Sequence, residues 1–260
     1  MPGAESARPG PVFVVVPAYN AGATLESVFA RIPPPARECV ARYLVVNDGS
    51  ADDTEDVLAR LSHDWPALNV LTHPRNLGYG AAEKTLLHTA LAEGAALVVL
   101  LHADGQYAPE KLPDMLAPLE RGEAELVQGS RMLGGGARQG GMPLYKYVAN
   151  RFLTAIENAA FGLHLAEYHS GYMAYARAFL EAVPFERLSD SFDFDLEMIV
   201  CARVLGRRIR DVPIPTRYAG EVSHLRPVRY GLRVLDVVRR FRRGDYHALL
   251  SVPRAGAKDS

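Results

Sequence analysis

Between residues 12 and 130 the chain alternates short apolar runs with longer stretches in which apolar positions recur every three or four residues. The runs are "VFVVV" (12–16), "YLVV" (43–46), "LNVLTH" (68–73), "ALVVLL" (96–101) and "AELVQGS" (124–130). They are rich in β-branched residues and predict strands, with Pro17 expected to halt the first. Helices are predicted over about residues 22–32, 50–61, 78–94 and 109–122. Ser50 or Asp52 is the expected N-cap of the second, with acids in its first turn. Apolar strands alternating with helices imply a parallel sheet covered on both faces, an α/β doubly wound arrangement. In such sheets ligands bind beyond the carboxyl ends of the strands. Each run here ends in polar residues: "PAYN", "NDGS", "HPRN", "HADGQ", "QGSR". Parallel strands all end on one side, so these five groups should share a rim.

After residue 131 the pattern changes. "LGGGARQGG" (133–141) predicts a mobile loop. Helices are expected over 143–162, 191–206 and 228–243, a strand running into a helix over 170–180, and an extended edge over 207–220. In the last helix, Tyr230, Val234, Val237, Val238 and Phe241 fall on one face. Arg229, Arg233, Arg240 and Arg243 are expected on the opposite, solvated one. Residues 1–10 and 252–260 read as loose ends, and residues 11–251 as a single domain.

Composition adds bounds. The chain has 260 residues, 48% hydrophobic and 23% charged, which excludes disordered and collagen-like classes. A net charge of −1 makes no case for nucleic acid. Seven arginines against one acid between residues 226 and 243 suggest a contact with an anionic membrane surface; a solvated arginine face on a core helix is the plainer reading. Cys39 and Cys201 lack metal spacing and read as small buried hydrophobes. The first residues have no signal-peptide pattern, and no window reaches the ~18 apolar residues of a membrane span. The expectation is a cytoplasmic chain, at most peripheral at the membrane.

The strand ends carry the candidate chemistry. Asp48, Asp104 and Gln106 are oxygen donors suited to a hard divalent cation, Mg²⁺ or Mn²⁺. A bare Asp-Gly can also be only a turn; the apolar run before Asp104 favours a ligand site. "NLGYG" (76–80) precedes a helix, where glycines let a backbone approach a ligand. It is not the dinucleotide fingerprint, and no phosphate-binding P-loop occurs. Arg131 and Arg217 are candidate phosphate clamps. In "FDFDLEM", Asp193 and Asp195 suit a helix start, whereas Glu197, deeper in an apolar helix, is the better candidate for a general base.

Taken together, "VVVPAYNAGATLESVF", "VVNDGSADDT", "HPRNLGYGAAEKT" and "LLHADGQYAPE" resemble the family 2 glycosyltransferases, which have the GT-A nucleotide-sugar-binding fold. "GSRM", "YHSGYMAYARAFLEAVPFERLSDSFDFDLEMI" and "IRDVPIPTRYAGEVSH" resemble its polyprenyl-phosphate (dolichol-phosphate type) mannosyl- and glucosyltransferase branch. The resemblance spans roughly residues 12–243. It implies a nucleotide-binding half (11–131), an acceptor half (132–225) and a basic C-terminal helix (226–244). It places Pro17, Ala18, Tyr19, Asn20, Asp48, Asn76, Gly78, Gly80, Lys84 and Ala103 around the nucleotide. Asp104, Gln106 and His102 would lie at the metal. Arg131, Arg138, Arg217 and His224 would meet donor or acceptor phosphate, and residues 134–141 would form a flap. Glu197, Asp195 and Arg131 are the candidate catalytic groups. The implied reaction is inverting transfer from a nucleoside-diphosphate sugar (GDP-mannose or UDP-glucose type) to a polyprenyl phosphate or to a glycan hydroxyl.

Three residues depart from the family pattern. His102 stands where the first Asp of Asp-Ala-Asp is usual, Asn47 where an Asp often stands, and His224 where a Lys is common. His102 weakens charge neutralisation at a diphosphate. This leaves open a sugar-nucleotide-binding protein with impaired catalysis. A nucleotidyltransferase would want a glycine-rich loop after the first strand, and "PAYNAGAT" lacks one.

Overall fold

The first strand has no polar position, which requires cover on both of its faces, and the computed structural model supplies it. It describes residues 10–215 and 227–252. The strands are β1 (Val12–Ala18), β2 (Val40–Asn47), β3 (Leu68–Thr72), β4 (Leu97–Leu100), β5 (Leu126–Ser130), β6 (Met173–Ala176) and β7 (Ile209–Pro213). They form one sheet in the order β3-β2-β1-β4-β6-β5-β7. All run parallel except β6, which lies antiparallel between β4 and β5. The five polar strand ends therefore do share one rim.

The helices are α1 (Gly22–Ala30), α2 (Pro34–Cys39), α3 (Thr54–Asp64), α4 (Tyr79–Ala92), α5 (Leu112–Glu120), α6 (Gly136–Gln139), α7 (Leu144–Phe161), α8 (Arg177–Ala182), α9 (Phe194–Val204), α10 (Pro227–Arg242) and α11 (Asp245–Leu250). Val12, Val14 and Val16 pack with α1, α3 and α5. Phe13 and Val15 point the other way, into a core built with α4, α8, α9, α10 and α11. Each such fully buried side chain contributes about 1.5–3 kcal/mol relative to exposure. No described helix is long and apolar enough to cross a membrane.

Several boundaries differ from the expectation. Pro17 does not end β1. Pairing with β4 stops at Val15, so the missing N–H of Pro17 falls where β1 is bonded only to β2. The helix α3 begins at Thr54, with Asp53 as N-cap; Asp52 Oδ1 accepts the Thr54 N–H at 3.1 Å. The short α2, entered through prolines, and α11 have no counterpart in the sequence pattern. Residues 133–141 are folded rather than open. Ala137 is buried, and a Cβ on Gly136 would come 2.4 Å from the Ile214 carbonyl oxygen.

In α10, Val234, Val237 and Val238 are buried as expected. Arg233 and Arg240 are not on a solvated face, however. They reach across to Asp193 and Glu197 at the start of α9. The side chain of Arg229 lies outside the described residues.

The largest inversion is in α7. Its buried positions are Asn150, Thr154, Glu157 and Phe161, whereas Leu144, Tyr145, Val148 and Phe152 are exposed. Apolar periodicity predicted the helix, but those apolar residues face outward.

Candidate active site

The rim is assembled by polar residues that first satisfy one another. Asn20 has φ +50° and crosses to the β2 end: its N–H donates to Ser50 Oγ at 2.9 Å, and its Oδ1 accepts the Ala51 N–H at 2.8 Å. Asn47 Oδ1 accepts the Ser50 N–H at 3.1 Å. Thr24 donates to the Ala103 carbonyl at 2.7 Å, tying α1 to the loop after β4. Pro17, Ala18, Tyr19 and Asn20 thus line a continuous wall with residues 47–51. Tyr19 is exposed on it and Ala18 and Ala103 are buried beneath.

Asp48 is 3% exposed, and both carboxylate oxygens are engaged. Oδ1 accepts the Leu77 N–H at 2.9 Å and meets His73 Nδ1 at 2.7 Å, and Oδ2 accepts the Gly78 N–H at 3.1 Å. Asp48 therefore shapes the loop of residues 76–78, Asn76 included. The glycines of that loop make room for protein rather than directly for a ligand. A Cβ on Gly78, where φ is +105°, would meet the Asp190 carbonyl oxygen at 2.6 Å. One on Gly80 would meet that of Ser189 at 2.4 Å. Lys84 is likewise held by the 188–190 segment, donating to the Leu188 carbonyl and to Asp190, both at 2.6 Å.

Asp104 lies four residues beyond the end of β4. Its Oδ1 accepts the Gln106 N–H at 3.0 Å, the turn that Asp-Gly suggested. The turn and the ligand reading coexist, because among the described residues Oδ2 has no hydrogen bond and is left for a ligand. The Gln106 side chain lines a shallow cleft with Arg31, Glu110 and Lys111.

His102 is fixed from behind. Its Nε2 lies 3.1 Å from the Gly171 carbonyl, which can only accept, so Nε2 carries hydrogen. Nε2 is also 2.8 Å from the Tyr79 hydroxyl, which in turn donates to Asp195 Oδ2 at 2.9 Å. Any side chain at Gly171 would collide with this arrangement: a Cβ would sit 2.4 Å from His102 Nε2. Burial pushes the imidazole below its ordinary pKa, against the pull of Asp104, so the ring is neutral at pH 7. Nδ1 is the nitrogen left for the site.

Asp195 is buried beneath Tyr79. It faces Glu83, also buried, with no cation acting on either among the described residues. Burial raises Asp195 to about 7, against the hydrogen bond from Tyr79 that pulls it down. Burial, then the charge of Asp195, raises Glu83 well above the carboxylate range. The pair therefore holds at least one proton near neutrality.

Two candidate catalytic groups are drawn away from the rim. Glu197 is fully buried. It accepts bonds from the Ser189 N–H, the Arg240 guanidinium and, at 2.7 Å, the Tyr246 hydroxyl. It ties α9 to α10 and α11 and has no path to a substrate, so the general-base expectation for it is corrected. Arg131 is 8% exposed and forks onto Glu167, with Nη2–Oε2 at 2.7 Å, and onto the His169 carbonyl. Burial alone would raise Glu167. The Arg131 charge and hydrogen bonds outweigh it and hold the carboxyl below its ordinary range. The guanidinium is thus neutralised within the protein, which corrects its reading as a phosphate clamp. Arg138 is exposed on α6. Arg217 and His224 lie outside the described residues.

Sequence reading passed over Tyr79, Glu83, Glu167 and Gly171. Glu83 had a signal: it interrupts the face of α4 that Ala82, Leu86 and Leu87 bury. Glu167 and Gly171 had none, because their partners lie 36 and 69 residues away.

Among the described residues no three His, Cys, Asp or Glu side chains converge to hold a metal. Asp104, His102 and Gln106, close together in the chain beyond β4, are donors of the kind that suits an ion taking its other ligands from a diphosphate and water.

Comparison with known proteins agrees with this architecture. The model of the glycosyl transferase family 2 matches residues 13–183. The undecaprenyl-phosphate mannosyltransferase of Micrococcus luteus is 29% identical over 204 residues, 78% of this chain and 82% of that protein. The UDP-N-acetylglucosamine–dolichyl-phosphate N-acetylglucosaminyltransferase of Methanococcus voltae is 26% identical over 219 residues, 80% and 86% of the two chains. Glucosyl-3-phosphoglycerate synthase from Mycobacterium tuberculosis, solved with Mn²⁺, UDP and phosphoglyceric acid, superposes with a TM-score of 0.64. It is 22% identical, with 97% of this chain and 82% of that one covered, and so shows the shared fold. The fold described above is that of the GT-A glycosyltransferases, and the chain belongs to glycosyl transferase family 2.

Proposed function

We propose that the chain transfers a hexosyl group, with inversion, from a nucleoside-diphosphate sugar to a polyprenyl phosphate. The observation that carries this is the lack of a base at the rim among the predicted ones. Glu197 is sealed beneath α10 and α11, and Asp195 lies behind Tyr79. A sugar hydroxyl would need a base there. A phosphate monoester, with a second pKa of ~6, is already ionised at pH 7 and needs none. The relatives named for undecaprenyl-phosphate and dolichyl-phosphate transfer support the same reading.

In this reading the wall of Pro17–Asn20 and residues 47–51 takes the nucleoside. Asp104 and His102 Nδ1 would hold Mg²⁺ or Mn²⁺, which neutralises charge on the departing diphosphate. Asp48 and Lys84 position the loops around the nucleotide. Arg138, Arg217 and His224 are the basic groups assigned to the acceptor phosphate. The enzyme works as a peripheral protein at the cytoplasmic face of the membrane.

The test follows radiolabelled sugar from GDP-mannose and from UDP-glucose, in parallel, into polyprenyl phosphate and into the unphosphorylated polyprenol. Label entering only the phosphate product is expected. No transfer from either donor, together with no thermal stabilisation by any nucleoside diphosphate with Mn²⁺, would overturn the reading.

A further inference from the structure

The first half of α7 turns several apolar residues outward, and the inner face of the helix explains why. Asn150 donates to Glu167, Thr154 donates to Asn150, and Glu157 lies 3.3 Å from His169 Nε2. Asn158 brackets Leu165, accepting from its N–H and donating to its carbonyl, both at 2.9 Å. The polar side is thus committed to the segment that holds Arg131 and His102 in place. The apolar side is left outward. Leu144 is 67% exposed, Tyr145 68%, Val148 57% and Phe152 66%. At 100° per residue these four fall within an arc of about 100° on the helix. Next to α7 packs α10, whose Leu232 is 64% exposed.

A soluble helix normally turns its apolar stripe to the core. A contiguous exposed stripe with aromatics marks a surface that something covers. Its charge says what. Residues 132–156 contain Arg138, Lys146 and Arg151 and no acid. Arg151 is exposed on α7 next to the stripe, and Arg138 is exposed on α6. Basic side chains flanking an exposed Leu, Tyr, Val and Phe face are the pattern of a helix lying in an anionic lipid interface. Its position agrees: α7 leads out of the segment that begins at Arg131, at the end of β5 on the site rim.

We propose that the outer face of α7 is the membrane-docking surface of this protein, seated in an anionic phospholipid bilayer with Tyr145 and Phe152 at headgroup depth. Of the arginines expected to make that contact through α10, Arg233 and Arg240 are bound to Asp193 and Glu197. Docking here would bring the acceptor's phosphate to the rim while its chain stays in lipid. The inference rests on the lipid-phosphate reading, and its test separates the two by using vesicles that contain no polyprenyl phosphate.

The full chain is sedimented with phosphatidylcholine–phosphatidylglycerol vesicles and with phosphatidylcholine vesicles. The wild type is expected with the anionic vesicles, and less with the neutral ones. Val148→Asp with Phe152→Asp should lower partitioning at least about tenfold, from the loss of two apolar insertions. Thermal stabilisation by a nucleoside diphosphate with Mn²⁺ should stay unchanged. Phe152→Ser alone, which adds no charge, should give a smaller loss of the same sign, and Phe152→Trp should retain binding. Equal partitioning of wild type and double variant overturns the proposal. So does a wild-type dimer that the double variant breaks, with no vesicle binding by either. Transfer to a short-chain, water-soluble polyprenyl phosphate, measured separately, tests the function without the membrane.

Discussion

Asp104 and Glu197 are both carboxylates set against long apolar runs, yet they end in opposite surroundings. Asp104 sits in a turn after β4 with one oxygen bonded locally and the other left to the rim. Glu197 sits one turn into α9 with both oxygens consumed by α10, α11 and the 189 backbone. The contrast extends to their regions. The β1–β4 end builds its cradle from hydrogen bonds between neighbouring loops and keeps donors open. The later half spends its charges on itself, Arg131 on Glu167, Arg233 on Asp193 and Arg240 on Glu197. A charged residue in an apolar segment therefore signals a partner, and only the partner's identity separates chemistry from architecture.

The largest effect that would sharpen this comparison is at Arg131. Arg131→Met leaves Glu167 buried without the guanidinium that neutralises it, at a cost of about 3–5 kcal/mol in stability, read by denaturant unfolding. Little change in stability but lost transfer would restore Arg131 to the phosphate. Next, Asp104→Asn should lower transfer about 100-fold or more while unfolding stays within about 0.5 kcal/mol of wild type. A smaller loss is expected for Glu197→Gln, about 2 kcal/mol, because Arg240 reaches solvent and the amide keeps one acceptor. Transfer per folded molecule should be unchanged there, and a hundredfold drop would break the contrast with Asp104. Gly78→Ala, at φ +105° and 2.6 Å from the Asp190 carbonyl, should cost about 1–2 kcal/mol through backbone strain.

The mildest test uses pH. Asp195 is raised to about 7 and Glu83 is raised too, so the folded state binds protons the unfolded chain has released. Their contribution to stability is greatest below the unfolded carboxylate pKa and fades as pH rises towards about 7. Asp195→Asn should flatten that part of a Tm-versus-pH curve. A slope identical to wild type would show that the two acids do not share a proton.

Much of this was legible beforehand. The valines of β1 required a sheet covered on both sides, and parallel strands required a common rim, because both follow from local periodicity and chain direction. Pro17 misled because only the register of β4 shows that its missing N–H is not needed. The apolar spacing of α7 revealed a helix but not its facing. What occupies its inner side is Glu167, His169 and Leu165, held by Asn150, Glu157 and Asn158, and a polar inner partner reverses the usual rule.

By itself, then, the sequence determined the α/β layering, the strand-end cluster around Asp104 and the family resemblance. These depend on residues close together in the chain or on patterns that repeat within it. The tertiary structure decided that Glu197 and Arg131 are structural ions, that His102 is a neutral ring backed by Tyr79 and Asp195, and that α7 wears its apolar face outward. Each depends on which distant group lies within about 3 Å, where a hydrogen bond or ion pair forms. Local pattern carries no record of those distances.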